Sequence, residues 1–313
     1  MKIVFMGTPE YAKTILQALF EAGHEIVAVY TQPDRPKGRS GQPVFSEVKE
    51  YALSKNLPVF QPEKIKASEE VERLKSFGAE VFVVAAFGQI VSQEILDIPP
   101  YGCLNAHGSI LPKYRGASPI QRAIAYGETE TGVTVMRMDK GIDTGDIIDI
   151  VKVPISDEDD EDSVYVKLAQ AGAKLMCDIL LKLKEGKVTY TPQNNDEATY
   201  ARMLKKEDGL LCFQKTAREL DCMVRGYLRW PTAYMFFNKK MIKVYKAKCV
   251  RTSSDIFPKD LNPGTFFVTK KNIYLSTKEG FLELLEVQPE GKKKMAAMDF
   301  ARGAHIATGD TAD

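Results

Sequence analysis

Short apolar runs alternate with helical patterns in the first half of the chain. Residues 2–6, 26–31 and 81–86 have the length of strands, and the last run is apolar throughout, as in strands buried on both faces. The stretches between them carry apolar residues every three or four positions. This alternation predicts β-α-β units and therefore an α/β fold with a Rossmann-like, mainly parallel sheet. The first helix is expected to begin with Thr8 as its cap and Pro9 as its first residue.

Further along, the pattern predicts a strand at 102–107, a helix at 119–126, a strand pair at 132–138 and 147–153, and a long helix at 163–185. Residues 187–205 lose this pattern and are rich in Thr, Gln and Asn, as in linkers. Beyond them, short runs of Val, Tyr, Phe and Thr are separated by turn residues, which is typical of a small antiparallel barrel. The sequence therefore predicts an α/β domain over 1–186, a linker over 187–205 and an OB-like β-barrel domain over 206–313.

The composition is that of a globular protein. Of the 313 residues, 44% are hydrophobic and 27% are charged, which excludes disordered and fibrous chains. No apolar run reaches the roughly 20 residues that a membrane span needs, so no membrane association is expected. The five cysteines form no C-x-x-C pair, which argues against a disulfide framework and a structural zinc site. We therefore expect a protein of the cytoplasm.

Charge is distributed unevenly along the chain, although the net charge is only +1. Residues 1–186 hold 21 basic and 27 acidic side chains, whereas residues 206–313 hold 19 and 13. The positive excess of the second half favours contact with a polyanion such as a nucleic acid, although a merely solvated domain can carry the same charge. Six consecutive acidic residues, Asp157–Asp162, are expected to form a solvated loop.

The turn after the first strand does not favour the binding of a dinucleotide. Residues 7–12 read GTPEYA and lack the second and third glycines of the G-x-G-x-x-G motif, which let the backbone approach a pyrophosphate. The sequence also lacks the G-x-x-x-x-G-K-[ST] pattern of P-loop enzymes. NAD-dependent chemistry and phosphoryl transfer by a P-loop are therefore disfavoured.

Three polar residues are candidates for chemistry. Asn105 and His107 alternate on the strand at 102–107, so they should project together at its carboxyl end, where open α/β sheets bind ligands. Asp143 lies in a loop between two glycines. A hydrogen-bonded strand end and a turn aspartate would explain the same residues without any activity. A catalytic zinc is disfavoured, because it usually takes three protein ligands.

The residues around this candidate site resemble the folate-dependent formyltransferases. The segment 105–120, NAHGSILPKYRGASPI, and the segment 139–145, DKGIDTG, carry the closest similarity. Residues 4–10, 31–36 and 291–295 extend it over nearly the whole chain. The resemblance implies an enzyme that transfers the formyl group of its co-substrate 10-formyltetrahydrofolate to an amine. The amine implied is the α-amino group of methionine on initiator tRNA, and the product would serve translation initiation.

The resemblance also implies roles for individual residues. Asn105 and His107 would donate hydrogen bonds to the oxyanion that develops during acyl transfer, and Asp143 would accept the proton of the amine and orient the imidazole. No metal and no covalent enzyme intermediate are expected. Folate is expected to contact Ser109, Ile110, Leu111 and Pro112 and the backbone around Ala86, Phe87 and Gly88. The tRNA is expected to contact Arg35, Lys37 and Arg39, because arginine binds phosphate through two parallel hydrogen bonds.

Three other functions are compatible with part of this pattern. A formyltransferase acting on a nucleotide-linked amino sugar would share the Asn, His and Asp residues, but the basic loop around Arg39 and the positive second half disfavour it. A noncatalytic RNA-binding protein would not need the three polar residues. A hydrolase that releases formate would use them to activate water. The protein is expected to act as a monomer.

Overall fold

The computed structural model describes residues 1–36, 43–250, 257–258 and 260–313. The chain divides into two compact units. The first comprises Met1–Gly116, Glu130–Pro154 and Tyr165–Ala201, and the second comprises Ala117–Thr129, Ile155–Val164 and Arg202–Asp313. The domain boundaries expected from the sequence, at residues 186 and 206, remain a prediction.

The elements follow the predicted order. The strands are β1 (Lys2–Gly7), β2 (Glu25–Tyr30), β3 (Arg35–Pro36), β4 (Pro43–Val44), β5 (Val59–Phe60), β6 (Val81–Ala85), β7 (Cys103–His107), β8 (Glu130–Arg137), β9 (Ile147–Pro154), β10 (Ala233–Phe237), β11 (Lys240–Val250), β12 (Phe266–Val268), β13 (Ile273–Ser276), β14 (Phe281–Pro289) and β15 (Met295–Ala296). The helices are α1 (Glu10–Glu21), α2 (Glu47–Ser54), α3 (Ser68–Ser76), α4 (Gln93–Leu96), α5 (Pro119–Ala125), α6 (Glu161–Lys184), α7 (Ala217–Gly226) and α8 (Ala297–Gly303). The predicted strands and helices are present, with ends shifted by a few residues.

The first unit is built on a seven-stranded sheet in the order β5-β2-β1-β6-β7-β8-β9. The first five strands are parallel, and β8 and β9 are antiparallel. The apolar strand β6 lies in the middle and is buried along its whole length, since helices cover both faces of such a sheet. On one face Val4, Phe82 and Val84 pack with Leu74 and Ile95 of the helices. The predicted Rossmann-like sheet is confirmed.

The parallel strands end together at one edge of this sheet, where β1 comes very close to β6. A Cβ atom on Gly7 would lie 2.8 Å from the Ala85 carbonyl oxygen and 2.5 Å from the Cβ of Ala12, so only glycine fits. The Thr8 hydroxyl donates to the Phe87 carbonyl at 3.2 Å instead of capping α1, whose N-cap is Pro9. The predicted cap by Thr8 is therefore wrong. The side chain instead ties the first turn to the end of β6.

The second unit contains an antiparallel sheet in the order β10-β11-β14-β13-β12, with β15 paired to β14. The last residues of the chain bridge its two outer strands. On one side, Phe236 and Asp313 exchange two backbone hydrogen bonds, of 2.7 and 2.9 Å. On the other side, the Phe266 amide donates to the Asp310 carbonyl and the Ala312 amide donates to the Gly264 carbonyl, both at 2.8 Å. The sheet is thereby closed into a small barrel, as predicted.

The acidic run Asp157–Asp162 is only partly a solvated loop, since Asp157, Glu158 and Asp162 are exposed but two of its other residues are buried. Asp159 is 5% exposed and Glu161 only 2% exposed. The Asp159 carboxylate accepts hydrogen bonds from Ser156, and Glu161 accepts from the Arg229 amide at 2.8 Å. Burial raises the pKa of Glu161 above its usual range. For Asp159 and Glu161 the prediction is wrong, because the sequence shows their charges but not the hydrogen-bond partners that allow them to be buried.

The same acidic run neutralises part of the positive charge of the second unit. Asp157 pairs with Arg218 at 2.5 Å, and Asp162 pairs with Arg229 at the same distance. A polyanion would therefore meet less free positive charge on this unit than the sequence suggests.

No helix in the described part of the chain has the length and apolar character needed to cross a membrane. Among the same residues, no cluster of three or more His, Cys, Asp or Glu side chains is arranged to hold a metal ion.

Candidate active site

Strand β7 brings two of the predicted residues to the edge where the parallel strands end. It pairs with β6 on one side and with β8 on the other. Asn105 and His107 project to the same side, as expected from their spacing. Asn105 is half-buried, and His107 is only 6% exposed. Both side chains are thus held in a largely water-excluded position.

The third residue, Asp143, comes from the tight loop between β8 and β9. Its backbone is left-handed, with φ of +54°, which is uncommon for residues other than glycine, asparagine and aspartate. A Cβ atom on Gly145 would lie 1.8 Å from the Arg137 carbonyl oxygen, so the loop requires glycine there. Asp143 Oδ2 accepts a hydrogen bond of 2.8 Å from the Gly116 amide. The carboxylate therefore has a defined position beside β7.

The three side chains converge. Asn105 Nδ2 lies 3.5 Å from Asp143 Oδ1, and His107 Nδ1 lies 3.6 Å from Asp143 Oδ2. Both distances are longer than a strong hydrogen bond. The carboxylate thus faces both groups without being fully bound by either. An amide donor, an imidazole and a carboxylate thus meet at one point.

The hydrogen bonds of His107 indicate which ring nitrogen carries a proton. Its Nε2 lies 2.9 Å from the Tyr114 carbonyl oxygen. A carbonyl oxygen can only accept, so Nε2 donates to it. This contact fixes the orientation of the ring and leaves Nδ1 facing Asp143. Nδ1 is therefore the ring nitrogen that is available to a bound substrate.

The predicted folate segment follows directly after β7. Ser109 is fully buried and its hydroxyl donates to the Lys113 carbonyl at 2.7 Å, so its side chain is not free to bind a ligand. Leu111 is buried as well, and its peptide bond to Pro112 is cis. Ile110 and Pro112 are half-exposed. Within this segment, a ligand would meet backbone groups and the side chains of Ile110 and Pro112.

Thr134 of β8 holds this segment in place. Its buried hydroxyl donates to the Ser109 carbonyl at 2.7 Å and accepts from the Leu111 amide at 3.0 Å. One hydroxyl therefore satisfies two backbone groups that would otherwise be unpaired in the interior.

We expect Thr134→Val to weaken folate use more than catalysis. The change keeps the volume but leaves the Ser109 carbonyl and the Leu111 amide unpaired, at a cost of about 1–3 kcal/mol for each buried group. The KM for folate should rise and the free energy of unfolding should fall. Steady-state kinetics and denaturant unfolding measure the two effects. Thr134→Ser keeps the hydroxyl and is the control, and an unchanged KM in Thr134→Val would contradict this assignment.

The second predicted folate segment lies just beyond β6. Ala86 and Gly88 are exposed and have positive φ angles of 45° and 84°. Phe87 between them is 3% exposed, and its carbonyl accepts from the Gln32 side chain at 3.0 Å. This carbonyl is therefore already used, and the backbone groups of Ala86 and Gly88 are the ones presented at the sheet edge.

One of the three predicted tRNA residues lies on the hairpin of β3 and β4. Arg35 is exposed on β3. Lys37 and Arg39 lie outside the described residues. The base of the hairpin is anchored, because Lys49 forms an ion pair with Asp34.

Two residues of the site were missed by sequence reasoning. Arg115 is 2% exposed, and its guanidinium donates to Gln193 Oε1 at 2.8 Å and to Asn195 Oδ1 at 2.9 Å. Gln193 Nε2 in turn donates to the Asp143 carbonyl at 2.9 Å. Arg115 lies within the 105–120 motif, but nothing in the sequence shows that it is buried. Gln193 lies in the stretch that the sequence predicts as a linker.

Comparison with known proteins identifies the family to which the chain belongs. The formyl transferase family matches residues 1–180, and the formyl transferase C-terminal domain matches residues 203–305. The chain therefore belongs to the formyl transferase family. Similar proteins include the methionyl-tRNA formyltransferase of Agathobacter rectalis, 45% identical over 99% of this chain and 98% of the relative. That of Bacillus subtilis is 42% identical over 99% and 96%. Within the family, the chain is one of the methionyl-tRNA formyltransferases.

A solved structure shares the fold over most of the chain. An N-formyltransferase from Helicobacter canadensis, in complex with folinic acid and dTDP-3-aminofucose, has a TM-score of 0.65 at 20% identity. The match covers 94% of this chain and 100% of the other. At this identity the likeness supports the fold. The resemblance to folate-dependent formyltransferases and the predicted fold class are both confirmed.

Proposed function

We propose that the protein transfers the formyl group of 10-formyltetrahydrofolate to the α-amino group of methionyl initiator tRNA, at the site formed by Asn105, His107 and Asp143. The product, N-formylmethionyl-tRNA, serves translation initiation. The observation that carries this site assignment is the convergence of the three side chains within 3.6 Å at the carboxyl end of β7. We further propose that the enzyme acts as a monomer in the cytoplasm.

The reaction is an acyl transfer between two amines. The uncharged amino group attacks the formyl carbon, a C–N bond forms, and the carbonyl oxygen takes up negative charge. The bond from the formyl carbon to folate N10 then breaks as that nitrogen takes up a proton, which balances the one that the attacking amine loses. Asn105 Nδ2 can donate to such an oxygen, and His107 Nδ1 can do so when the ring carries both protons, because the Nε2 proton is already donated to the Tyr114 carbonyl oxygen.

Asp143 accepts the proton that the attacking nitrogen must lose. Its Oδ2 is held by the Gly116 amide, and both carboxylate oxygens face the other two residues of the site. The proton passes to the carboxylate directly or through one water. The same carboxylate orients the imidazole of His107, which lies 3.6 Å away.

Substrate contacts are proposed on the remaining predicted residues. Folate binds the 109–112 segment at its partly exposed residues, Ile110 and Pro112, and the exposed backbone of Ala86 and Gly88, which suits a flat ring with donors and acceptors along one edge. Phe87 supports this backbone from the interior. The tRNA binds Arg35, Lys37 and Arg39, and the second unit attracts its phosphates without reading their sequence.

An assay with three acceptors tests the function. The purified protein and formyl-labelled 10-formyltetrahydrofolate are incubated with methionyl initiator tRNA, with a nucleotide-linked amino sugar, or with water alone. We expect label on the tRNA, with tRNA binding that weakens steeply as salt is added, since counterions are released from its phosphates. Label on the sugar, or release of free formate as the main product, would contradict the proposal.

A further inference from the structure

The loop that presents Asp143 is exposed and needs an anchor. Residues 139–142 are all exposed to solvent, and Ile142 is 64% exposed. Asp143 itself has a left-handed backbone, which an unsupported loop would hold only part of the time. The Gly116 amide holds the carboxylate itself, but the backbone of the loop needs a contact outside the loop as well.

Gln193 makes that contact. Its Nε2 donates to two carbonyl oxygens of the loop, those of Asp143 at 2.9 Å and of Gly145 at 2.7 Å. The two bonds lie on either side of Thr144 and fix the backbone on both sides of that residue. They act on the backbone and leave the carboxylate oxygens of Asp143 to their own partners, the Gly116 amide, Asn105 and His107.

Arg115 fixes Gln193 in turn. The guanidinium gives two hydrogen bonds to Gln193 Oε1, from Nε at 3.1 Å and from Nη2 at 2.8 Å, and a third to Asn195 Oδ1. All four hydrogen-bonding positions of the Gln193 amide are thereby used. The amide cannot rotate without losing several bonds at once. Because the guanidinium is almost fully buried, it cannot move to solvent as a surface arginine would.

We infer that Gln193 is a positioning residue for formyl transfer: held by Arg115, it fixes the loop so that the Asp143 carboxylate faces Asn105 and His107. This role rests on the function proposed above. It places part of the catalytic apparatus in the segment 187–205, and it makes the transfer rate depend on an amide that does not touch the reacting atoms.

Two matched variants separate this role from a merely structural one. Gln193→Glu keeps an oxygen for Arg115 but replaces the donor to the two loop carbonyls with an acceptor, which repels them. Asn195→Asp makes the same amide-to-carboxylate change beside the same guanidinium and touches no loop carbonyl. Both variants add one negative charge beside the Arg115 guanidinium, at a half-buried residue in Gln193→Glu and at an exposed one in Asn195→Asp. They differ in the hydrogen bonds to residues 143 and 145.

We expect Gln193→Glu to lower kcat for transfer to methionyl initiator tRNA by roughly 10- to 100-fold, as for a displaced catalytic group. Its KM for folate and all constants of Asn195→Asp should stay within about threefold of the wild type. In an Asp143→Asn background, Gln193→Glu should change kcat by less than about threefold, because the group that it positions is already lost. Amide hydrogen exchange over residues 139–146 should be faster in Gln193→Glu than in Asn195→Asp.

Equal kcat values and equal hydrogen exchange in Gln193→Glu and Asn195→Asp would overturn the inference. It would also be overturned if Gln193→Glu lowered kcat as much in the Asp143→Asn background as in the wild type. If Gln193→Glu does not fold, Gln193→Met takes its place, because it removes the same donors without adding charge. The same changes in kcat and hydrogen exchange are then expected of Gln193→Met. A wild-type protein that does not formylate the tRNA would instead refute the proposed function. The hydrogen-exchange comparison would still decide whether Gln193 holds the loop.

Discussion

His107→Ala and Asn105→Ala should each lower kcat for formyl transfer by about 10²- to 10⁴-fold, the range that mutagenesis gives for the loss of one oxyanion donor or one acid–base group. Both side chains end at the edge of the sheet where the carboxylate of Asp143 faces them. Each variant removes a donor that is already in place when negative charge develops on the formyl oxygen. Water cannot replace it well, because His107 is buried and Asn105 half-buried.

Single-turnover transfer of labelled formyl groups to charged tRNA measures this effect. The affinity for folate should change little, because the donors act on charge that is present in the transition state. His305→Asn serves as the control, since His305 is an exposed histidine and asparagine tolerates its positive φ of 55°. If either active-site variant kept a rate near that of the wild type, the role assigned to that residue would be wrong.

Asp143→Asn should have an effect of similar size, a loss of about 10² or more in kcat, because the proton acceptor is removed. The amide oxygen of asparagine can still accept from the Gly116 amide, and asparagine tolerates the left-handed backbone at this position. The loop should therefore keep its place. The loss then reports on proton transfer and not on folding.

The same single-turnover assay, together with thermal unfolding, tests this second expectation. Asp146→Asn makes the same chemical change at an exposed aspartate of the same loop and should leave the rate within about threefold of the wild type. An Asp143→Asn variant that transfers formyl groups as fast as Asp146→Asn would show that the carboxylate does not accept the proton.

Much of the fold and of the site could be predicted from local patterns. The apolar run at 81–86 predicted the central strand, and two-residue alternation placed Asn105 and His107 on one side of β7. These predictions depend on the geometry of a single strand, which sequence spacing fixes directly. Asp143 was reached through the resemblance and through its glycine neighbours, of which Gly145 is required by its close approach to Arg137.

The features that the sequence did not predict depend on contacts between distant parts of the chain. Gln193 lies 50 residues beyond the carbonyl of Asp143 that it binds, in a stretch with the composition of a linker. Arg115 and Glu161 are charged and would be expected at the surface, but both are buried. Each is hydrogen-bonded to polar partners that are far away in sequence. Periodicity and composition carry no information on such pairings.

A crystal structure with a formyl-bearing folate analogue that cannot be transferred tests the central claim most directly. We expect the formyl oxygen within about 3 Å of Asn105 Nδ2 or His107 Nδ1, as for oxyanion donors, with Asp143 on the side from which the amine approaches. A formyl group bound away from all three side chains, for instance in the cavity of about 480 Å³ beside Phe45 and Arg35, would contradict the account.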